Sequence, residues 1–108
     1  MNWFRSKSGV NEISAAQLRE QLSSAEPPLV IDVREVYELR EGVIPSAIHV
    51  PMNNVPARLS ELPPEREIVI HCSHGFRSYD VAAWLMRQGY ERVSSLAGGM
   101  AAWQRLRV

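Results

Sequence analysis

The chain has a single cysteine among its 108 residues. It can hold no internal disulfide, and it has no second thiol with which to run a dithiol redox cycle. One unpaired thiol suits a reducing compartment. Charge of either sign is also missing in excess: 12 basic residues balance 12 acidic ones, so nothing in the net charge points to nucleic acid or to an anionic membrane. No apolar run approaches the roughly 18 residues of a spanning helix. The opening Met1-Asn2-Trp3-Phe4-Arg5-Ser6-Lys7 lacks the apolar stretch of roughly 7–15 residues that a secretory signal requires. The expectation is a soluble, cytoplasmic protein without nucleic-acid or membrane partners. Its length and its 45% hydrophobic content fit one globular domain.

What is present alternates. Residues 1–10 are polar with a Gly and two isolated aromatics, and are expected to be a flexible lead-in, unless Trp3 and Phe4 dock on the body or on a partner; residues 11–108 are expected to form the domain. Ser14 with Gln17 three residues on fits a capping box for a helix through Leu18 and Leu22, stopped before Pro27-Pro28. Leu29-Val30-Ile31-Asp32-Val33 is a short continuous apolar run, the pattern of a strand covered on both faces. Glu35 to Glu41 reads as a charged helical turn or two ended by Gly42, and 47–50 as another strand. Asn53 or Asn54 is positioned to cap a helix through Val55, Leu59 and Leu62, with Pro56 in its first turn. A strand over 67–71 precedes a loop and a helix to about Gln88, terminated by Gly89. Residues 92–96 make a last strand, and Gly98-Gly99 leads into a short helix holding Met100 and Trp103. Strands alternating with helices predict an α/β domain with a mostly parallel sheet.

The lone Cys72 falls where this plan places chemistry. It follows the strand Ile68-Val69-Ile70-His71 and stands at the head of Cys72-Ser73-His74-Gly75-Phe76-Arg77-Ser78, just before a helix. Reactive groups gather at the carboxyl ends of parallel strands. A helix N-terminus favours negative charge, so the thiolate is favoured over the thiol.

These segments together resemble the single-domain form of the rhodanese sulfurtransferase family, over about residues 11–106. The resemblance is carried by Val30-Ile31-Asp32-Val33-Arg34-Glu35 with Glu38, Gly42, Ile44-Pro45 and Ala47; by the loop Cys72–Ser78; and by Gly89-Tyr90, Val93, Leu96, Gly98-Gly99 and Ala102-Trp103. Each piece alone is weak, whereas their order and spacing are specific. Two positions depart from the pattern: Val43 stands where the family often has His, and Ser46 where it often has Gly. The resemblance implies a three-layer α/β/α domain with a sheet of about five strands. It also implies a thiosulfate sulfurtransferase that needs no cofactor and no metal. Cys72 would carry sulfur as a persulfide. Ser73, His74, Gly75, Phe76, Arg77 and Ser78 would form the loop around it, Arg34 would lie at the mouth of the site, and Asp32 would support neighbouring loops. The partners would be a small sulfur donor and a thiophilic acceptor (cyanide, a thiol or a protein), met by a monomer.

The residues themselves leave choices open. N–H groups of residues 73–78 can converge on the sulfur as an anion nest, with Gly75 as either the residue that permits it or an ordinary turn glycine. Arg77 can fix the loop or meet an anionic donor. Ser78 can donate to the sulfur or serve as a first-turn helix residue. Asp32 and Arg34 can equally form a polar network between loops, and Glu38 reads as a structural partner. His71 reads as a satisfied interior histidine, His74 as a solvent- or donor-facing one, and His49 carries no assigned chemistry. Crowding argues against a metal held by His71, Cys72 and His74.

Two other functions compete. Cysteine phosphatases and arsenate reductases also set a Cys and an Arg around an anion, with one residue more between them. Here only Ser73-His74-Gly75-Phe76 intervene, a tighter cradle that suits one sulfur better than a tetrahedral phosphate. A non-enzymatic sulfur relay or docking module is the other. In either sulfur reading, whatever Cys72 accepts must leave to another molecule.

Overall fold

Strands form where short aliphatic runs can be buried on both faces, and residues 9–106 are described by a computed structural model. The docking question for Trp3 and Phe4 lies outside the described residues. The described residues form five parallel strands: β1 (Asn11–Ile13), β2 (Leu29–Asp32), β3 (Ile48–His49), β4 (Ile68–His71) and β5 (Val93–Leu96), in the order β1-β5-β4-β2-β3. All four residues of β4 and of β5 are buried. The α-helices are α1 (Ala15–Leu22), α2 (Phe76–Arg87) and α3 (Gly99–Gln104). On one face α1 and α3 cover the sheet through Ala15, Leu18 and Met100 against Val30, Val69 and Leu96. On the other, α2 lays Val81, Ala82 and Leu85 on Ile31, Ile68, Ile70 and Val93. Two apolar layers thus enclose a both-faced sheet, and each fully buried Leu or Ile contributes about 1.5–3 kcal/mol.

Several local expectations hold with their predicted chemistry. Ser14 Oγ accepts from Gln17 N at 3.1 Å while Gln17 Oε1 accepts from Ser14 N at 2.8 Å, which is the capping box. Gly89 ends α2 at φ +100°. Other expectations need correction. The segments Val36–Glu41 and Pro56–Glu61 are 3₁₀ rather than α-helical. No Asn side chain caps the second of these; Pro56 occupies its first turn after Val55. Each segment is six residues long, and 3₁₀ turns serve as connectors over such short spans. The strand over 47–50 shrinks to Ile48–His49 at the sheet edge. Asn11–Ile13 forms an unexpected edge strand on β5, too short for its alternation to register. Val10 is buried and joins the core. Among the described residues no helix is long and apolar enough to cross a membrane.

The order of strands opens a crevice at one end of the sheet. From β2 the chain moves outward to β3, and from β4 it moves the other way to β5. The carboxyl ends of adjacent β2 and β4 therefore flank a topological switch point, where connections diverge.

Candidate functional site

Cys72 leaves β4 at that crevice and is 1% exposed. The chain then reverses through Gly75, whose φ of +101° is disfavoured for residues with a Cβ. A Cβ at Gly75 would also meet Gly98 N at 3.2 Å. Helix α2 begins at Phe76 with no side-chain cap of the usual kind. The cysteine sulfur fills that place. Gly75 N–H donates to Sγ at 3.2 Å and Ser78 N–H donates at 3.3 Å. Donors that a helix start leaves orphaned are thus aimed at a group that can bear negative charge. The Ser78 hydroxyl lies 3.5 Å from Sγ. Burial pushes the Cys72 thiol up, but the Ser78 hydroxyl and the N–H groups of Ser78, Gly75 and His74 outweigh it, and the thiol sits below its ordinary value.

The carbonyls of the loop face the other way. Met100 N–H donates to Cys72 O at 2.8 Å and Ala101 N–H donates to Ser73 O at 3.0 Å. The first turn of α3 so holds the loop's acceptors away from the sulfur and leaves its donors to it. Gly99 makes this possible: at φ +58° it packs on the loop so closely that a Cβ would collide with the Cys72 carbonyl oxygen and lie 2.6 Å from Ser73. The sequence marks Gly98-Gly99 only as a lead-in to a helix, because the contact spans two distant segments.

Arg77 closes the loop through a partner that sequence reading left as structural. Its Nη1 and Nη2 donate to Glu38 Oε1 and Oε2 at 2.8 and 2.9 Å, a bidentate pair. Glu38 Oε1 also accepts from Glu35 N at 2.8 Å, and Oε2 from Ser73 Oγ at 2.9 Å. The Arg77 bonds foremost, with those of Glu35 and Ser73, overcome burial and hold the Glu38 carboxyl at about 2. Among the described residues the guanidinium's hydrogen bonds go to Glu38 and Ser73 and none to the sulfur. Of the two options open for Arg77, the geometry is that of fixing the loop.

Arg34 does not lie at the mouth of the site, and that expectation is corrected. It is fully buried. Its Nε donates to Asp32 Oδ1 at 3.0 Å, Nη2 to Asp32 Oδ2 at 2.8 Å and to Gly42 O at 2.7 Å, and Nη1 to Glu38 O at 3.2 Å. An arginine removed from water needs partners for its donors, and the Asp32 carboxylate with the carbonyls of Glu38 and Gly42 supplies them. Arg34 thereby fixes the backbone of Glu38, and Glu38 fixes the cysteine loop. Asp32 is the polar brace of the loops, its carboxyl held low by Arg34 and His71 against the pull of burial. His49 donates from Nε2 to Arg34 O at 2.6 Å.

His71 is fully buried, with Nδ1 3.4 Å from Cys72 O and Nε2 3.5 Å from Asp32 Oδ2. Burial keeps it below its ordinary value. His74 is exposed, and Phe76 is 79% exposed beside the loop. Among the described residues no three His, Cys, Asp or Glu side chains converge as metal ligands. Sequence reading missed Ser95. On β5 its Oγ lies 2.8 Å from Ser78 Oγ, and the only signal was a pair of serines in an otherwise apolar strand.

The arrangement is a recessed thiol in a nest of N–H donors, able to act as a thiolate nucleophile and to hold a charged group bonded to its sulfur. A family model described as Rhodanese-like domain matches residues 14–106. The chain is 46% identical to a sulfurtransferase of Allochromatium vinosum, over 89% of this chain and 90% of that one. It is 30% identical to the thiosulfate sulfurtransferase GlpE of Shewanella oneidensis, over 89% and 94%. The crystal structure of a rhodanese-like domain protein from Staphylococcus aureus superposes with a TM-score of 0.82 at 31% identity, covering 87% of this chain and 91% of that one.

Proposed function

The chain belongs to the rhodanese-like domain family, and from that premise we propose that it is a sulfurtransferase in which Cys72 carries sulfane sulfur as a persulfide. The observation that carries this reading is the convergence of Gly75 N–H, Ser78 N–H and the Ser78 hydroxyl on a sulfur 1% exposed. Thiosulfate is the donor we propose first, as the substrate in the name of one relative. The Cys72 thiolate attacks the outer sulfur of thiosulfate. A new S–S bond forms on Cys72, the S–S bond of thiosulfate breaks, and sulfite leaves with its electron pair. The persulfide anion inherits the N–H nest, which stabilises charge there. A second nucleophile (cyanide, a thiol or a protein thiol) then takes the outer sulfur and returns Cys72 as a thiolate. No other cysteine is present, so the sulfur passes directly to that external acceptor.

In this scheme Ser73, His74, Gly75, Phe76, Arg77 and Ser78 are the loop, with Arg77 and Glu38 as its clasp. Asp32 and Arg34 support it from behind. Incubation with thiosulfate is expected to add about 32 Da to the intact protein, removed again by cyanide. Mass spectrometry is the test: no adduct from thiosulfate, polysulfide or any persulfide donor, or an adduct that persists in Cys72→Ser, overturns the reading. Steady hydrolysis of an aryl phosphate that disappears in Cys72→Ser would place the chain with the phosphatases instead.

A further inference from the structure

We propose that the groove between α2 and residues 52–56 seats a lysine or arginine side chain of a polypeptide sulfur acceptor, with Asp80 receiving its charge. The proposal rests on the sulfur-carrier reading for why a polypeptide comes here: the thiol it offers to Cys72 lies within a few residues of that side chain.

The groove encloses about 260 Å³. Its walls are apolar, with Met52, Val55 and Pro56 on one side and Val81 and Trp84 on the other. Val55, Val81 and Cys72 belong to one core cluster, so the floor of the groove continues the apolar wall behind the cysteine. Residues 52–56 hang from the end of the sheet at which Cys72 leaves β4: Val33 N–H donates to His71 O at 3.0 Å, and Met52 N–H donates to Val33 O at 2.9 Å. Helix α2 also leads from the cysteine to the groove. The exposed Phe76 stands beside the loop, and Asp80 and Trp84 follow it at four-residue spacing on one helix face. Each step of four residues advances about 6 Å along the axis.

The polar groups of the groove are Asn53 and Asp80. Among the described residues the Asp80 side chain has no hydrogen bond and no ion pair, and no Lys or Arg lines the groove. The cation one turn before it on α2, Arg77, is clasped by Glu38. The groove is therefore an apolar trough with one uncompensated negative charge. A long apolar stem that ends in a cation is its complement, and the Trp84 indole adds an aromatic face for that cation. Small-molecule sites begin at roughly 300 Å³, so this trough suits one side chain better than a whole ligand. An exposed ion pair adds little by itself. Joined to a nearby thiol, it raises the effective concentration of that thiol at the mouth.

The test uses the full chain with Cys72→Ser, so that no sulfur moves. It is titrated with short peptides that carry one cysteine and one lysine roughly two to four residues away on either side, the span an extended chain needs for that advance. Each is matched by a peptide with norleucine in place of lysine, which keeps the stem and loses the charge. Binding is read from the Trp84 indole N–H resonance, with Trp103, packed against the opposite face of the sheet, as the reference. At least one lysine peptide is expected to bind about fivefold more tightly than its match, moving Trp84 and not Trp103. Asp80→Asn should make the two affinities equal. Glu20→Gln, the same loss of charge on α1 across the sheet, should keep the fivefold difference.

Equal affinities throughout the series overturn the proposal, as does a difference that survives Asp80→Asn or disappears in Glu20→Gln. Binding of n-butylammonium alone as tightly as the peptides would make the groove a small-cation site and overturns it too. In the chain with Cys72 intact, the lysine peptide should be the better sulfur acceptor through a lower KM at similar kcat; equal KM values count against the proposal. The two readings fail separately. A chain that prefers the lysine peptide but forms no persulfide keeps the groove and loses the sulfur chemistry, and the reverse result keeps the chemistry and loses the groove.

Discussion

Two carboxylate–arginine pairs stand at the carboxyl ends of adjacent strands, and they are built alike but buried differently. Asp32, the last residue of β2, and Arg34, just beyond it, meet at 2.8 Å with side chains 2% and 0% exposed. Glu38 and Arg77, beside the cysteine loop, also meet at 2.8 Å but are 14% and 35% exposed. The first pair is sealed, and its spare donors are bound by the carbonyls of Glu38 and Gly42. The second is open to water and clasps the loop that, in the proposed reaction, must admit a donor and an acceptor. One pair holds the frame, and the other holds the moving chemistry to that frame. The two are in series, because Arg34 grips the backbone of the residue whose carboxylate grips Arg77.

That difference can be tested by breaking each pair in turn. The largest effect should come from Asp32→Asn, which leaves the Arg34 charge buried and unpaired. A loss of about 3–5 kcal/mol of unfolding free energy is expected, read by denaturant titration. A loss below that of Glu38→Gln would erase the distinction between the pairs.

Glu38→Gln should cost less, about 1–2 kcal/mol, because solvent screens a pair with a third of the arginine side chain exposed. Salt separates the two further: the cost of Glu38→Gln should shrink in about 1 M salt, while that of Asp32→Asn should persist.

Acid sharpens the comparison. The Glu38 carboxyl is lowered from 4.5 to about 2 on folding. A depressed carboxyl contributes stability that is complete above its unfolded value and is lost as pH falls through its folded value. The stability gap between the wild type and Glu38→Gln should therefore be full above pH 4.5 and close towards pH 2. A gap that closes already between pH 6 and 5 would mean that some other group carries it.

The smallest effect expected is that of His49→Ala. It removes the hydrogen bond to Arg34 O at 2.6 Å and should cost about 1 kcal/mol. Denaturant titration is the check, and a cost above that of Glu38→Gln would upset the ranking.

Much of the frame was legible in the chain. The strand-loop-helix around Cys72, the capping box of Ser14 and Gln17 and the stop at Gly89 depend on neighbours a few residues away, and each appears as predicted. Asn11–Ile13 was not legible, since three residues at a sheet edge carry too little alternation to be distinguished from a loop. Ser95 was hidden for a different reason: a serine in a strand looks like surface alternation until α2 is laid across it. Arg34 was misplaced because an arginine in a loop after a strand ordinarily faces water, whereas here Asp32, Gly42 and Glu38 satisfy it inside.

The sequence by itself determined where a thiol would stand: after a buried strand, on a glycine turn, at the start of a helix. Those are consequences of side-chain period and of backbone freedom at Gly75, and both are local. Only the tertiary structure decided what surrounds that thiol. Glu38 lies 39 residues from Arg77, and Ser95 lies 17 from Ser78. Met100 reaches back to Cys72 through a contact that requires Gly99. Contacts over such separations leave no periodic trace in a chain, because packing of the sheet and its two helical layers brings them together.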